Sequence, residues 1–157
     1  MRLNILSAAL LALLIPVGAW SADEKVEAKA DARAGAKADD TSGTWTATSA
    51  EMAGMTLPGS FYGTIKLVIN EDKYKLTIGD KVDEGTSKAD ASATPKTLDV
   101  TGTKGPNKGK TMLAIYELDG DTMKVCYDLS GNARPKEFKT TAGSQLFLIT
   151  YKREKKA

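Results

Sequence analysis

From Gly43 onward the chain runs in short alternations of apolar and polar residues. In residues 62–70, YGTIKLVIN, the side chains of Ile65, Leu67 and Ile69 alternate with Thr64, Lys66 and Val68. In residues 73–79, KYKLTIG, Tyr74, Leu76 and Ile78 alternate with lysines and Thr77. Similar runs occupy residues 43–49, 96–102, 111–118, 122–129 and 144–153, and a weaker, more polar one, VDEGTSKA, occupies 82–89. A period of two, with β-branched and aromatic enrichment and short spacers, predicts eight strands. No ten-residue window carries a helical stripe.

Three spacers are the size of hairpin turns. NEDK follows the second run and GDK the third, and LDGD contains Asp119-Gly120, where glycine tolerates positive φ. Sequential strands are therefore expected to be antiparallel neighbours. An even strand number lets the last strand close on the first, which removes the exposed edges. The expected fold is all-β: an eight-stranded antiparallel up-and-down barrel over residues 42–153. Its expected lining is Trp45, Ile65, Leu67, Ile69, Leu76, Ile78, Leu98, Val100, Leu113, Ile115, Met123 and Val125. An interior of eight strands is either filled by such side chains or holds one small ligand.

What precedes the barrel has a different character. Residues 1–22, MRLNILSAALLALLIPVGAWSA, place Arg2 before an apolar core and then small residues, the layout of a secretory signal peptide. The apolar stretch is shorter than the roughly 18–20 residues that span a bilayer as a helix. Cleavage after Ala19, Ser21 or Ala22 fits, and the expected location is exported, periplasmic or extracellular. Residues 23–41 carry six acidic and four basic side chains with Val26 as the one branched apolar residue. They read as a solvated charged linker, and residues 154–157 as a basic tail.

Charge and composition then remove several function classes. The chain has 22 basic and 20 acidic residues. That near balance argues against a nucleic-acid binder. Lysines on alternate faces of short strands argue against an outer-membrane barrel, so no stable membrane insertion is expected once the signal is removed. One cysteine, Cys126, permits no internal disulfide. With no histidine in the chain, the commonest general base and metal ligand are missing. No catalytic residue, metal or cofactor is assigned, and the chain reads as a non-enzyme.

The stretch GTKGPNKGKTM (102–112) looks like a phosphate loop, but Lys104 stands where G-x-x-x-x-G-K-[ST] needs its first glycine. A strand run follows it rather than a helix. It reads instead as a flexible Gly- and Lys-rich turn at a barrel mouth.

The GTW that opens the first strand resembles the G-x-W signature of lipocalin-like barrels. The run PKTLDVT…GPNKGKTMLAIYELDGDTMKVCYDLSGNARPKEF, with EGT and the closing YKR, is similar to a family of uncharacterised small exported domains abundant in planctomycetes. The resemblance covers residues 43–153 and implies a lipocalin-like β-barrel. It also implies that Trp45 closes one end and that Arg153 packs across its indole as a seal. The chain is shorter than typical lipocalins and lacks their disulfides.

Other candidates are weaker. Cys126 shares a face with Lys124 and Asp128, and is either a thiol activated by the lysine or an inert one under a loop such as 129–139. Asp119 and Asp121 read as turn formers rather than calcium ligands. Arg134 is a candidate anion contact at the barrel mouth, against a pairing with Glu137 or a loop carbonyl. Two function classes remain. One is a module that binds a small apolar molecule. The other is a structural or protein-interaction module of the cell envelope with a filled barrel and an unknown protein partner.

Overall fold

The computed structural model describes residues 39–156; residues 1–22, read from the sequence as a signal peptide, and residues 23–38 of the expected linker lie outside them. All eight alternating runs form strands. They are β1 (Gly43–Met52), β3 (Ile65–Asn70), β4 (Lys73–Ile78), β5 (Lys81–Asp90), β6 (Lys96–Lys104), β7 (Thr111–Asp119), β8 (Thr122–Asp128) and β9 (Leu146–Arg153). Between β1 and β3 the chain adds a two-residue strand, β2 (Met55–Thr56), and a single helical turn, α1 (Gly59–Tyr62). Each long strand pairs antiparallel with the next, and β1 also pairs with β9, so the sheet closes into an eight-stranded barrel with β2 as an outlying strand. No helix among the described residues is long and apolar enough to cross a membrane.

The alternation of the sequence becomes the inside and outside of the barrel. In β3, Ile65, Leu67 and Ile69 are buried while Lys66, Val68 and Asn70 are exposed. In β1 the pairing with β9 skips a residue between Ala47 and Ser49. This bulge shifts the inward parity. Trp45 and Ala47 are buried before it and Ala50 after it.

β7 breaks the simple rule. Met112, Ala114 and Tyr116 belong to the barrel core, so Leu113 and Ile115 point the other way. They do not line the interior, contrary to the sequence reading. The cause is burial on both faces. The loop 129–145 folds back over the outer face of the wall, where Arg134 Nη1 donates to the carbonyls of Ala114 at 2.7 Å and Leu98 at 3.3 Å. Ile115 and its partner Cys126 are 1% and 0% exposed beneath this cover. A strand buried on both sides reads as a continuous apolar run, and parity cannot be taken from it.

The up-and-down order sends the connections to two ends. The turns 71–72, 91–95 and 120–121 share one end with the residues that enter β1 and leave β9. That end is sealed. The Arg153 guanidinium lies 4.4 Å from the centre of the Trp45 ring, and Trp45 is fully buried. Trp45 Nε1 donates to the carbonyl of Thr41 at 3.0 Å. Arg153 donates to the carbonyls of Ser42 and Asp40, the latter at 2.9 Å, and its Nε faces Asp121 Oδ1 at 3.6 Å, too long for a hydrogen bond. Lys96 Nζ meets Asp39 Oδ2 at 2.7 Å. The last residues of the segment read as a solvated linker, 39–41, are thus built into the sealed end. At the other end, the mouth, lie the connections 53–64, 79–80, 105–110 and 129–145.

Two outcomes are expected from the seal. Trp45→Ala should cost about 3–5 kcal/mol, and a double-mutant cycle with Arg153→Ala should show about 0.5–2 kcal/mol of coupling; strict additivity would mean the contact contributes nothing. A chain that begins at Ser42 loses the Thr41 acceptor of Trp45 and the Asp40 acceptor of Arg153, while keeping the Ser42 carbonyl. In urea unfolding it should be less stable by about 1–3 kcal/mol than one beginning at Asp23, and equal midpoints would show the segment to be dispensable.

Candidate functional site

The barrel is hollow, with an interior cavity of about 350 Å³. An engineered cavity of about 150 Å³ already holds benzene, so this one has room for a ligand of about a dozen non-hydrogen atoms at ~30 Å³ each. Leu67, Ile69, Leu76 and Ile78 of β3 and β4 form one wall, and Leu98, Val100 and Met112 of β6 and β7 another. Met123 and Tyr127 of β8, Phe147 and Tyr151 of β9 and Met52 of β1 complete it. At the mouth, Phe61 of α1 and Leu129 reach the cavity while remaining 38% exposed each.

Seven of the residues expected to line the interior do so: Leu67, Ile69, Leu76, Ile78, Leu98, Val100 and Met123. Trp45, Ile65 and Val125 are buried in the barrel core but lie off the cavity wall. Leu113 and Ile115 are outside, as described above. Arg134 is not at the mouth. Besides its two carbonyl acceptors it pairs with Asp99 at 2.5 Å, so its guanidinium is engaged in pinning the 129–145 loop to the wall, and the expected anion contact gives way to that role.

The polar part of the site was not singled out from the sequence. β5 differs from the other strands in what it turns inward, namely Asp83, Gly85 and Ser87, of which Asp83 and Ser87 line the cavity. Tyr74 donates to Asp83 Oδ2 at 2.8 Å. The Asn107 backbone N–H donates to Asp83 Oδ1 at 3.0 Å, and the Asn107 side-chain amide to Oδ2 at 3.1 Å. Two glycines make this possible. A Cβ on Gly85 would collide with the Thr101 carbonyl and stand 2.7 Å from the Tyr74 ring. One on Gly105, already at φ +94°, would collide with the Val82 carbonyl and stand 3.1 Å from Asp83 Oδ1. The Gly- and Lys-rich stretch is therefore not a loose turn. Gly109 donates to the Gly102 carbonyl at 2.9 Å and Gly102 to the Lys110 carbonyl at 3.0 Å, which sets Asn107 over the mouth of the cavity.

Four tyrosines carry inner hydroxyls in environments that hold them protonated. Burial and then the Asp83 hydrogen bond raise Tyr74 well above the usual phenol range. Burial and then Asp39 raise Tyr116. Burial pushes Tyr127 up to about 12, and burial followed by Tyr127 raises Tyr151. Asp128, the other buried aspartate, has a different task. Burial acts to raise its carboxyl, but bonds from Ser130, Asn132 and Ala133 outweigh that and lower it, so it caps the start of the 129–145 loop. Cys126 is buried under that loop with its Sγ 3.9 Å from the Lys139 carbonyl, and burial pushes its thiol up. The described residues contain no group of three or more Cys, Asp or Glu side chains placed to hold a metal ion.

The chemistry these groups support is recognition. A phenol and an amide bonded to a carboxylate beside an apolar wall are a set of convergent polar groups that can orient a ligand. Alkaline titration tests the environment of the phenols. A phenol raised in the folded state contributes stability that is whole below the unfolded value near pH ~10 and is lost as pH climbs through the folded value. For Tyr127 that window ends at about 12. Phenolate absorbance of the buried Tyr74, Tyr116 and Tyr151 and the partly buried Tyr127 should therefore appear together with loss of near-ultraviolet circular dichroism. Phenolate appearing in an intact barrel at the ordinary phenol pH would show the rings to be open to water. Cys126 should react with a disulfide reagent only after denaturant is added; rapid labelling of the folded protein would place the thiol outside the cover.

No family model, curated protein or solved structure matches this chain.

Proposed function

We propose that this barrel is an exported, non-catalytic binding module that holds one small, mostly apolar molecule. The observation that carries the reading is the cavity of about 350 Å³, apolar on most of its wall, reached past Phe61 and Leu129 and closed at the far end by Trp45 and Arg153. A barrel that serves only as a spacer or outer docking surface has no use for such a space, since unfilled volume weakens a core. The lipocalin-like G-x-W start of β1 supports the same reading by analogy of fold. The signal-like residues 1–22 support export to the periplasm or beyond.

The test is saturable binding of an apolar fluorescent probe to the mature protein, at one site per chain. Val100→Phe places a ring in the cavity. It should weaken the probe by about tenfold or more, which is ~1.4 kcal/mol, while unfolding stability changes by less than ~1.5 kcal/mol because the ring enters existing space. Absence of any saturable site, with Val100→Phe costing about 1–3 kcal/mol as an overpacked core does, would favour the filled structural barrel.

A further inference from the structure

The cavity wall carries one feature that an apolar cargo alone does not explain. Asp83 is 5% exposed and turns into the barrel. Its three hydrogen-bond donors, Tyr74 and the two groups of Asn107, are all neutral. Among the described residues no lysine or arginine nitrogen lies within 4.0 Å of it. Buried charges in proteins are ordinarily paired or bound to a cation. The neighbouring Lys104 is engaged with Glu84 on the outer side of β5 and β6, and Lys110, the one cationic residue of the cavity lining among the described residues, is exposed at the mouth and makes no ion pair with Asp83.

We infer that the molecule held in this cavity is a small lipophilic amine, its cationic nitrogen directed to Asp83 and its apolar body against Leu67, Leu76, Leu98 and Val100. This deepens the reading of the barrel as a binding module and rests on it. Three arguments converge. The desolvation of the Asp83 carboxylate has already been incurred on folding, so an arriving ammonium gains the attraction without that half of the penalty that usually cancels buried ion pairs. Tyr74, Asn107 and Ser87 stand on the same stretch of wall and supply hydroxyl and amide oxygens for the remaining N–H donors of an ammonium. The rings of Tyr74, Tyr127, Phe147 and Tyr151 line the same space, and aromatic faces attract cations, more strongly when water is excluded. A carboxylate ligand meets the opposite situation, because it would place a second negative charge in a confined space beside Asp83.

The experiment compares three probes with one apolar body, decylamine, decanol and decanoate, by calorimetry on the mature wild-type protein and on Asp83→Asn. The Asn variant keeps the shape and an acceptor oxygen but removes the charge. The expected result is that decylamine binds the wild type about tenfold or more tighter than decanol, with decanoate the weakest. In Asp83→Asn the advantage of decylamine should vanish while decanol affinity stays within about threefold. Decanol binding as tightly as decylamine to the wild type would overturn the amine assignment and leave the binding module standing. A preference that persists in Asp83→Asn would overturn the assignment of the cationic nitrogen to Asp83 and likewise leave the binding module standing. Failure of all three probes to bind would remove both readings. The wild-type ratio of decylamine to decanol decides by itself should the variant not fold.

Discussion

The pairing of β1 with β9 is the constraint on which the other features rest. It joins the last strand of the chain to the first along seven residue pairs, from Trp45 opposite Arg153 to Met52 opposite Phe147. Without it the sheet would have two long open edges, and an interior lined by leucine, isoleucine and valine would face water. With it, the first and last residues of the domain become neighbours. That is why an arginine at the end of β9 meets a tryptophan at the start of β1, and why the residues just before β1 supply carbonyls to both, Thr41 to Trp45 and Asp40 to Arg153. Closure and seal are one event in this fold. The bulge after Ala47 belongs to the same pairing, since it lets β1 present Trp45 at the sealed end and Met52 to the cavity.

Much of this was legible in the sequence because the outside of a barrel is wet. Wherever an outer face meets water, strict alternation marks the inner one, as in β3, and the strand count and hairpins follow. The reading failed where that condition fails. β7 and the Val125-Cys126 part of β8 are covered on the outside by the 129–145 loop, so Leu113 and Ile115 look as much like interior residues as Met112 and Ala114 do. A run apolar at both parities is itself a sign of a covered wall, and the polar, Gly- and Pro-containing stretch after β8 is the segment available to cover it. Tyr74 and Tyr127 could be placed by parity with Leu76 and Val125. The short β2 and α1 carry no periodic signal at all.

The inner face of β5 was hidden for a different reason. Sequence patterning finds cores by their apolar residues, and Asp83, Gly85 and Ser87 make that face look like a solvated one. What identifies it is the neighbours. Gly85 is opposite Tyr74, whose ring occupies the space a side chain would need, and Gly105 brings Asn107 onto the carboxylate. None of these pairings is local. The glycines, the tyrosine, the amide and the aspartate come from two strands and a loop, and they acquire meaning only when the barrel brings them together.

The same geometry sets a limit on how Asp83 can be explained as a merely structural residue. If its task were to anchor Asn107 and Tyr74, a neutral asparagine or serine would satisfy much of the same hydrogen bonding without burying a charge, and the fold would be relieved of a desolvation cost of several kcal/mol. Asp128 shows what a purely structural aspartate looks like in this protein. It sits on the outer face, takes its bonds from backbone N–H groups and the Ser130 hydroxyl at the start of the loop it caps, and has no part in the cavity. Asp83 has fewer and weaker partners, faces an apolar space, and is held there by two glycines that no other side chain can replace. A carboxylate retained under those conditions is best understood through what approaches it from the cavity side. The mouth framed by Phe61, Leu129 and the Asn107 loop is the route by which a ligand would arrive.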